Sequence, residues 1–194
     1  MIFHFISREE YRKKDELSFL ENLKSVYGDF YILPEGGTNI LAVKGCAEIL
    51  TKKDISFDYV CAPVGTGGTI AGLIESSNST QTILGFSALK GTFQTSDIKK
   101  FTKKTNYRIL DDYCLGGYAK VNTELIEFMN DFKKKTAVSL DPIYTGKMIF
   151  GIIDLISKGY FKENSTILAI HTGGLQGIDG MNMLLNKKNL PLVI

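Results

Sequence analysis

Residues 59–69, Tyr59-Val-Cys-Ala-Pro-Val-Gly-Thr-Gly-Gly-Thr69, constrain the fold more than any other stretch of the chain. They read as a short buried strand, a glycine-rich turn and a helix starting at Thr69. Gly65, Gly67 and Gly68 admit backbone angles that a Cβ forbids, so successive N–H groups can converge on one point. The helix adds its own unpaired N–H groups and the positive end of its dipole. An anion fits there, a phosphate above all. The same glycines would also serve a tight turn with no ligand. No lysine follows the second glycine pair, so the segment is not a nucleoside-triphosphate loop. It also lacks the third glycine and the acidic strand end of a dinucleotide fingerprint.

Around this segment, apolar strands alternate with amphipathic helices. Strands are expected over residues 1–6, 30–33, 58–64, 82–89 and 165–171, the last one buried. Helices are expected over 7–28, opened by a Ser7/Glu10 capping box, and over 40–52, 69–77, 95–105, 121–135 and 145–159. This order predicts right-handed crossovers and an α/β fold with a doubly wound parallel sheet, one domain over residues 1–194. Residues 65–69 and 172–177 then fall at strand carboxyl ends, where such sheets bind ligands. Two further segments, Asp112-Tyr-Cys-Leu-Gly-Gly-Tyr118 and Leu140-Asp-Pro-Ile-Tyr-Thr-Gly-Lys147, bring tyrosines. Each alone reads as structural, and their joint occurrence points to a site.

Composition narrows the function classes. Net charge is +2 over 194 residues, and the lysine runs 133–135 and 187–188 read as solvated faces, not a nucleic-acid surface. No apolar run approaches the ~20 residues of a membrane span, and the first residues carry no basic leader. Cys46, Cys61 and Cys114 have no metal-ligand spacing and do not cluster with His4 or His171. They read as reduced thiols of a cytoplasmic protein, with no metal site.

The segments Pro34-Glu-Gly-Gly-Thr-Asn39, Gly65-Thr-Gly-Gly-Thr69, Gly116-Gly-Tyr118, Asp141-Pro-Ile-Tyr-Thr-Gly-Lys147, Gly151-Ile-Ile-Asp-Leu-Ile-Ser-Lys-Gly159 and His171-Thr-Gly-Gly-Leu-Gln-Gly177 together resemble one family. It is that of the 1-aminocyclopropane-1-carboxylate deaminases and D-cysteine desulfhydrases, pyridoxal-phosphate enzymes of the tryptophan-synthase-β-like fold. The resemblance implies that Gly65, Thr66, Gly67, Gly68 and Thr69 cradle the cofactor phosphate. It assigns Thr145 and Thr172 to the cofactor as well, with Thr172 at the pyridine nitrogen. A hydroxyl there suits a neutral ring nitrogen, which makes a weaker electron sink than a pyridinium. Tyr118 and Tyr144 are implied to flank a small amino-acid substrate. Glu35 receives no catalytic role, and Lys147 is assigned to packing or capping. Threonine at both 145 and 172 resembles the desulfhydrase-like branch, which implies α,β-elimination from a D-amino acid.

One departure stands out. The family ties its cofactor to a lysine in an N-terminal Asn-Lys segment, and a Gln-Ser-Asn-His motif supplies a serine. Neither segment occurs in these 194 residues. The resemblance therefore makes the chain the C-terminal part of such an enzyme, with residues 1–30 a remnant of the region joining the smaller domain. The full-length family implies a homodimer. Three readings stay open: an inactive portion of a lyase or deaminase, half of a split enzyme completed by an N-terminal polypeptide, or a non-catalytic domain binding a phosphorylated ligand or a partner.

Overall fold

The computed structural model describes residues 2–194, which divide into a compact unit ending at Leu33 and a larger one, Pro34–Ile194. In the first unit the expected capping box forms. Glu10 N–H donates to Ser7 Oγ at 3.1 Å and Ser7 N–H donates to Glu10 Oε2 at 2.8 Å. The expected single helix is instead two, α1 (Arg8–Arg12) and α2 (Leu17–Tyr27). The break falls on Lys-Lys-Asp-Glu, four charged residues with no apolar side chain to anchor a continuing turn. Gly28, at φ 76°, ends α2.

The strands expected over 1–6 and 30–33 do not form among the described residues, and Met1 lies outside them. A strand needs a neighbour to receive its backbone groups, and none pairs here. Ile2 and Phe5 are 97 % and 91 % exposed, and no residue from 2 to 33 is buried.

The larger unit begins with a 3-10 turn, Glu35–Gly37, and α3 (Ile40–Cys46), capped by Asn39 Oδ1 accepting from Ala42 N–H. Next come β1 (Tyr59–Val64), α4 (Gly68–Ser76), β2 (Thr82–Ser87), α5 (Gln94–Ile98) and β3 (Tyr107–Leu110). The chain closes with α6 (Thr123–Thr136), α7 (Thr145–Ser157), β4 (Ile167–Ala169), a second 3-10 turn (Leu175–Gly177) and α8 (Ile178–Lys187). All pairings are parallel, in the order β3-β2-β1-β4. β1 and β2 are near-continuous apolar runs because both of their faces are covered. Val60, Ala62, Val64 and Ile83 face Ile70, Leu73 and Ile74 of α4 on one side. Cys61, Leu84 and Phe86 face Met148, Ile152 and Leu155 of α7 on the other. That alternation is the period of two expected of a strand, and it makes the sheet doubly wound.

Pro63 is tolerated in this central strand for a specific reason. Cys61 C=O accepts from Ile170 N–H, so positions 61 and 63 point toward β4. The β1–β4 pairing already ends at Cys61↔Ala169, and the missing proline N–H breaks no ladder bond.

Several boundaries differ from expectation. α3 stops at Cys46 rather than at 52, where Thr51 N–H and Oγ1–H both donate to Asp54 Oδ2 and close a turn instead. α5 stops at Ile98, beyond which Thr102 Oγ1–H turns to the Glu75 carboxylate. The strand expected to be buried over 165–171 is only three residues long and half-exposed, because it is the sheet edge. β3 and α8 are additional to the expected elements. Among the described residues, no helix is long and apolar enough to cross a membrane.

Candidate cofactor site

β1 and β4 are parallel neighbours, so the turns that follow them emerge at the same end of the sheet. Between them opens a cleft of about 810 Å³. It is lined by Gly65, Thr66, Gly67, Gly68 and Thr69 from the first turn, by Thr172, Gly173 and Gly174 from the second, and by Tyr118 and Tyr144. Of the residues assigned to a site from sequence, only Thr145 stands away from the lining.

The first turn is built for close approach. Gly67 takes φ 95° as the N-cap of α4, and its carbonyl accepts from Ala71 N–H. The first N–H groups of that helix have no carbonyl one turn back and are available to an anion. A Cβ on Gly67 would stand 3.1 Å from Ile98 Cγ1, and one on Gly65 would stand 3.3 Å from the Tyr144 ring and hydroxyl.

Behind this turn sits a brace that the sequence reading did not assign. Thr38 Oγ1 and Thr66 Oγ1 share a hydrogen bond at 2.5 Å. A Cβ on Gly68 would lie 2.8 Å from Thr38 Oγ1, and one on Gly36 would lie 2.6 Å from Thr66 Oγ1. Glu35, Gly36, Gly37, Thr38, Ala42 and Cys46 all line the cleft. The Gly36-Gly37-Thr38 run just before the Asn39 cap was the available signal, since paired glycines before a helix mark backbone brought close to something.

The opposite wall is fixed by side chains. His171 Nε2 lies 2.9 Å from Ser139 C=O, an acceptor, so Nε2 carries the proton. His171 Nδ1 is then free to accept from Gly173 N–H at 3.1 Å. Gly174 takes φ 90°, and a Cβ there would sit 3.0 Å from Asp141 Cγ. Asp141 is buried and saturated. Its Oδ1 accepts from Ile143 and Tyr144 N–H, and its Oδ2 from Thr145 N–H and Oγ1–H. Thr145 completes the exchange by accepting from Asp141 N–H at 2.8 Å. With 0 % exposure and its hydroxyl engaged on Asp141, Thr145 lies beneath the cleft.

Tyr118 and Tyr144 meet edge-on, with ring centroids 6.1 Å apart and planes at 67°. Burial, followed by the Tyr118 hydroxyl and the negative charge of Asp141, pushes the Tyr144 phenol up to about 12. At neutral pH it therefore keeps its proton and can donate. The cleft thus combines the unpaired N–H groups of a helix start, two phenols and the exposed Thr172.

The pyridoxal-phosphate dependent enzyme family matches residues 4–173. A putative 1-aminocyclopropane-1-carboxylate deaminase of Pyrococcus horikoshii is 31 % identical over 174 residues, 81 % of this chain and 53 % of the relative. The mitochondrial bifunctional D-cysteine desulfhydrase/1-aminocyclopropane-1-carboxylate deaminase of Arabidopsis thaliana is 31 % identical over 207 residues, 90 % of this chain and 50 % of the relative. The crystal structure of an ACC deaminase homologue superposes with a TM-score of 0.75 at 27 % identity, covering 95 % of this chain and 62 % of that one. The chain thus spans about half the length of the curated relatives it matches. With its parallel sheet and a cleft at the strand carboxyl ends, the chain belongs to the pyridoxal-phosphate dependent enzymes, with the tryptophan-synthase-β-like fold, and is similar to 1-aminocyclopropane-1-carboxylate deaminases and D-cysteine desulfhydrases.

Proposed function

We propose that these residues form the cofactor-holding portion of a lyase of the D-cysteine desulfhydrase type, acting by α,β-elimination on a small amino acid in the cytoplasm. The observation that carries this reading is the convergence of the glycine turn after β1 with Tyr118, Tyr144 and Thr172 on one cleft. The residues fit pyridoxal phosphate. The first turn offers N–H groups where added Cβ atoms would crowd Tyr144 and Ile98, a cradle suited to a phosphate. When bound, the cofactor supplies an electron sink for the carbanion left by loss of a substrate α-proton.

The remaining work falls to the chain's own side chains. Thr172 would hold the ring of the bound cofactor, with a hydroxyl able to donate to a neutral nitrogen. Tyr144, protonated at neutral pH, donates to the substrate or its leaving group, and Tyr118 stands beside it as the exposed partner. Thr145 contributes indirectly, by locking Asp141 and through it the backbone of Tyr144. Threonine at 145 and 172 favours the desulfhydrase branch over cyclopropane opening.

The reading also assigns a partner. None of the chain's lysines stands in a match to the family's anchoring motif, so the 194 residues alone lack a positioned amine. An N-terminal family segment supplies it, within a homodimer when complete. The test has two arms. Calorimetry should detect pyridoxal phosphate binding to the purified chain. Assays should detect no sulfide or pyruvate from D-cysteine, and no α-ketobutyrate from the cyclopropane acid. Adding the N-terminal segment in trans should restore turnover, and its Lys→Ala version should not. Binding without restorable turnover would favour a non-catalytic phospholigand domain. Robust turnover by the chain alone would overturn the assignment.

A further inference from the structure

Lys147 belongs to none of the site's surfaces, yet its setting is costly. It is the third residue of α7 and is 1 % exposed. A cation at that end of a helix opposes the dipole, and a buried ammonium is poorly solvated. Burial lowers its pKa to about 8, partly offset by Cys114 and Asp141. An apolar side chain of similar length would fill the space without these penalties, so the charge needs a separate explanation.

Its hydrogen bonds supply one. Lys147 Nζ donates to Cys114 C=O at 2.7 Å and to Gly117 C=O at 2.8 Å. Those carbonyls belong to a short segment with an unusual course. Leu115, Gly116, Gly117 and Ala119 all lie in the left-handed region, at φ 53°, 93°, 120° and 54°. Leu115 and Ala119 carry a Cβ, so that course is strained. Beyond Cys114 N–H, which bonds to Asp111 C=O, the segment's backbone bonds are two turn contacts, Gly117 N–H to Cys114 C=O and Lys120 N–H to Gly117 C=O. They use the same two carbonyls, and the ammonium takes the remaining lone pair of each. Tyr118 sits in the middle, 54 % exposed, edge-on to Tyr144.

We infer that Lys147 is a positioning residue: its ammonium holds residues 114–119 in their left-handed course and so sets Tyr118 beside Tyr144 at the cleft. The consequence for chemistry rests on the proposed substrate-side role of Tyr118, whereas the hold itself does not. Lys147 is not the cofactor's anchor in this arrangement, because its nitrogen is turned to the two carbonyls and is not part of the cleft lining.

The test is amide hydrogen exchange on the full chain, with Lys147→Met and Lys147→Ala beside wild type. Both variants should melt cooperatively, while amides of 114–119 exchange at least about tenfold faster. n-Propylammonium should restore protection to Lys147→Ala in a saturable manner, and n-propanol should not. If neither variant folds, refolding in propylammonium replaces exchange as the readout, and recovery with the ammonium alone supports the hold. Unchanged exchange, equal rescue by the alcohol, or no rescue by either would overturn the inference. So would a borohydride-trapped phosphopyridoxal adduct on Lys147, since that nitrogen would have left both carbonyls. A loosened segment with undiminished turnover in the complemented assay upholds the hold and removes the role given to Tyr118.

Discussion

The turns after β1 and β4 share one grammar, a strand, then paired glycines, then helical backbone, yet they are built in different ways. β1 is paired on both sides, and its turn runs straight into a nine-residue helix with six buried positions. β4 is a three-residue edge strand whose turn is mostly exposed and leads into a 3-10 turn. The first turn is held by the strand and helix on either side of it. The second is held from outside, by His171 on Ser139 and by the fit of Gly174 against Asp141. Glycine content alone does not set stiffness; position in the sheet does. Under the proposed function, the central turn takes the small anion and the more adjustable edge turn takes the larger ring.

The largest expected effect is at Gly67. Gly67→Val combines φ 95° with a Cβ 3.1 Å from Ile98. It should remove about 1–3 kcal/mol of stability by strain and lower pyridoxal phosphate affinity by about a hundredfold or more. Calorimetry and denaturant melts check both, and intact affinity in a folded variant would end the cradle reading. Gly174→Val places the same change on the edge turn, at φ 90° and 3.0 Å from Asp141. A smaller loss of about 1–2 kcal/mol, with about tenfold weaker binding, is expected because an exposed turn can shift. A greater loss at Gly174 than at Gly67 would invert the comparison.

Tyr144 lies between the two turns and sharpens the contrast through pH. Its folded pKa is raised from 10.0 to about 12, so its stabilising contribution is complete below about pH 10 and is lost as pH rises toward 12. The stability difference between wild type and Tyr144→Phe should therefore move against wild type across that window. Taking the difference separates Tyr144 from Cys61, whose thiol burial also pushes up to about 12. The smallest effect is expected from Thr172→Ala. Stability should change by no more than about 0.5 kcal/mol at this exposed position. Binding of inorganic phosphate should be unchanged, and binding of pyridoxal phosphate should weaken by only about threefold to tenfold. Equal losses for both ligands would place Thr172 at the phosphate instead of the ring.

The central part of this architecture could be read from the sequence because its signals are local. The apolar runs of β1 and β2, the glycine turn and the 3.6-residue period of α7 each lie within a dozen or so residues. Pairing at the edges is a different matter. Ile167–Ala169 reads as buried by composition, but its exposure depends on whether a further strand lies beside it. β3 carries little sequence signal because Tyr-Arg-Ile-Leu is only four residues long and includes an exposed arginine. The segments 2–6 and 30–33 have strand composition without strand neighbours, which composition cannot report. Tyr118, Tyr144 and Thr172, named from motifs, all line the cleft. The Gly36-Gly37 pair signals close approach of the backbone there, but the brace of Thr38 on Thr66 spans 28 residues and was not legible. Nor was the inward turn of Thr145, which depends on the saturated carboxylate of Asp141.

The pairing of β1 with β4 also sets a schedule. Asp58 and Thr166, joined by four hydrogen bonds at the start of that pairing, are 108 residues apart in sequence. β2 lies much closer along the chain, and its register with β1 runs from Tyr59↔Thr82 to Val64↔Ser87. Contacts between near neighbours in sequence close early, whereas distant ones wait on a larger loss of chain entropy. A chain emerging from the ribosome therefore has the glycine turn after β1 before it has the wall opposite. In pulse-labelled refolding, amides of β1 and β2 should become protected ahead of Ile170, whose N–H bonds to Cys61 C=O. The cleft acquires its second side only when this distant pairing closes.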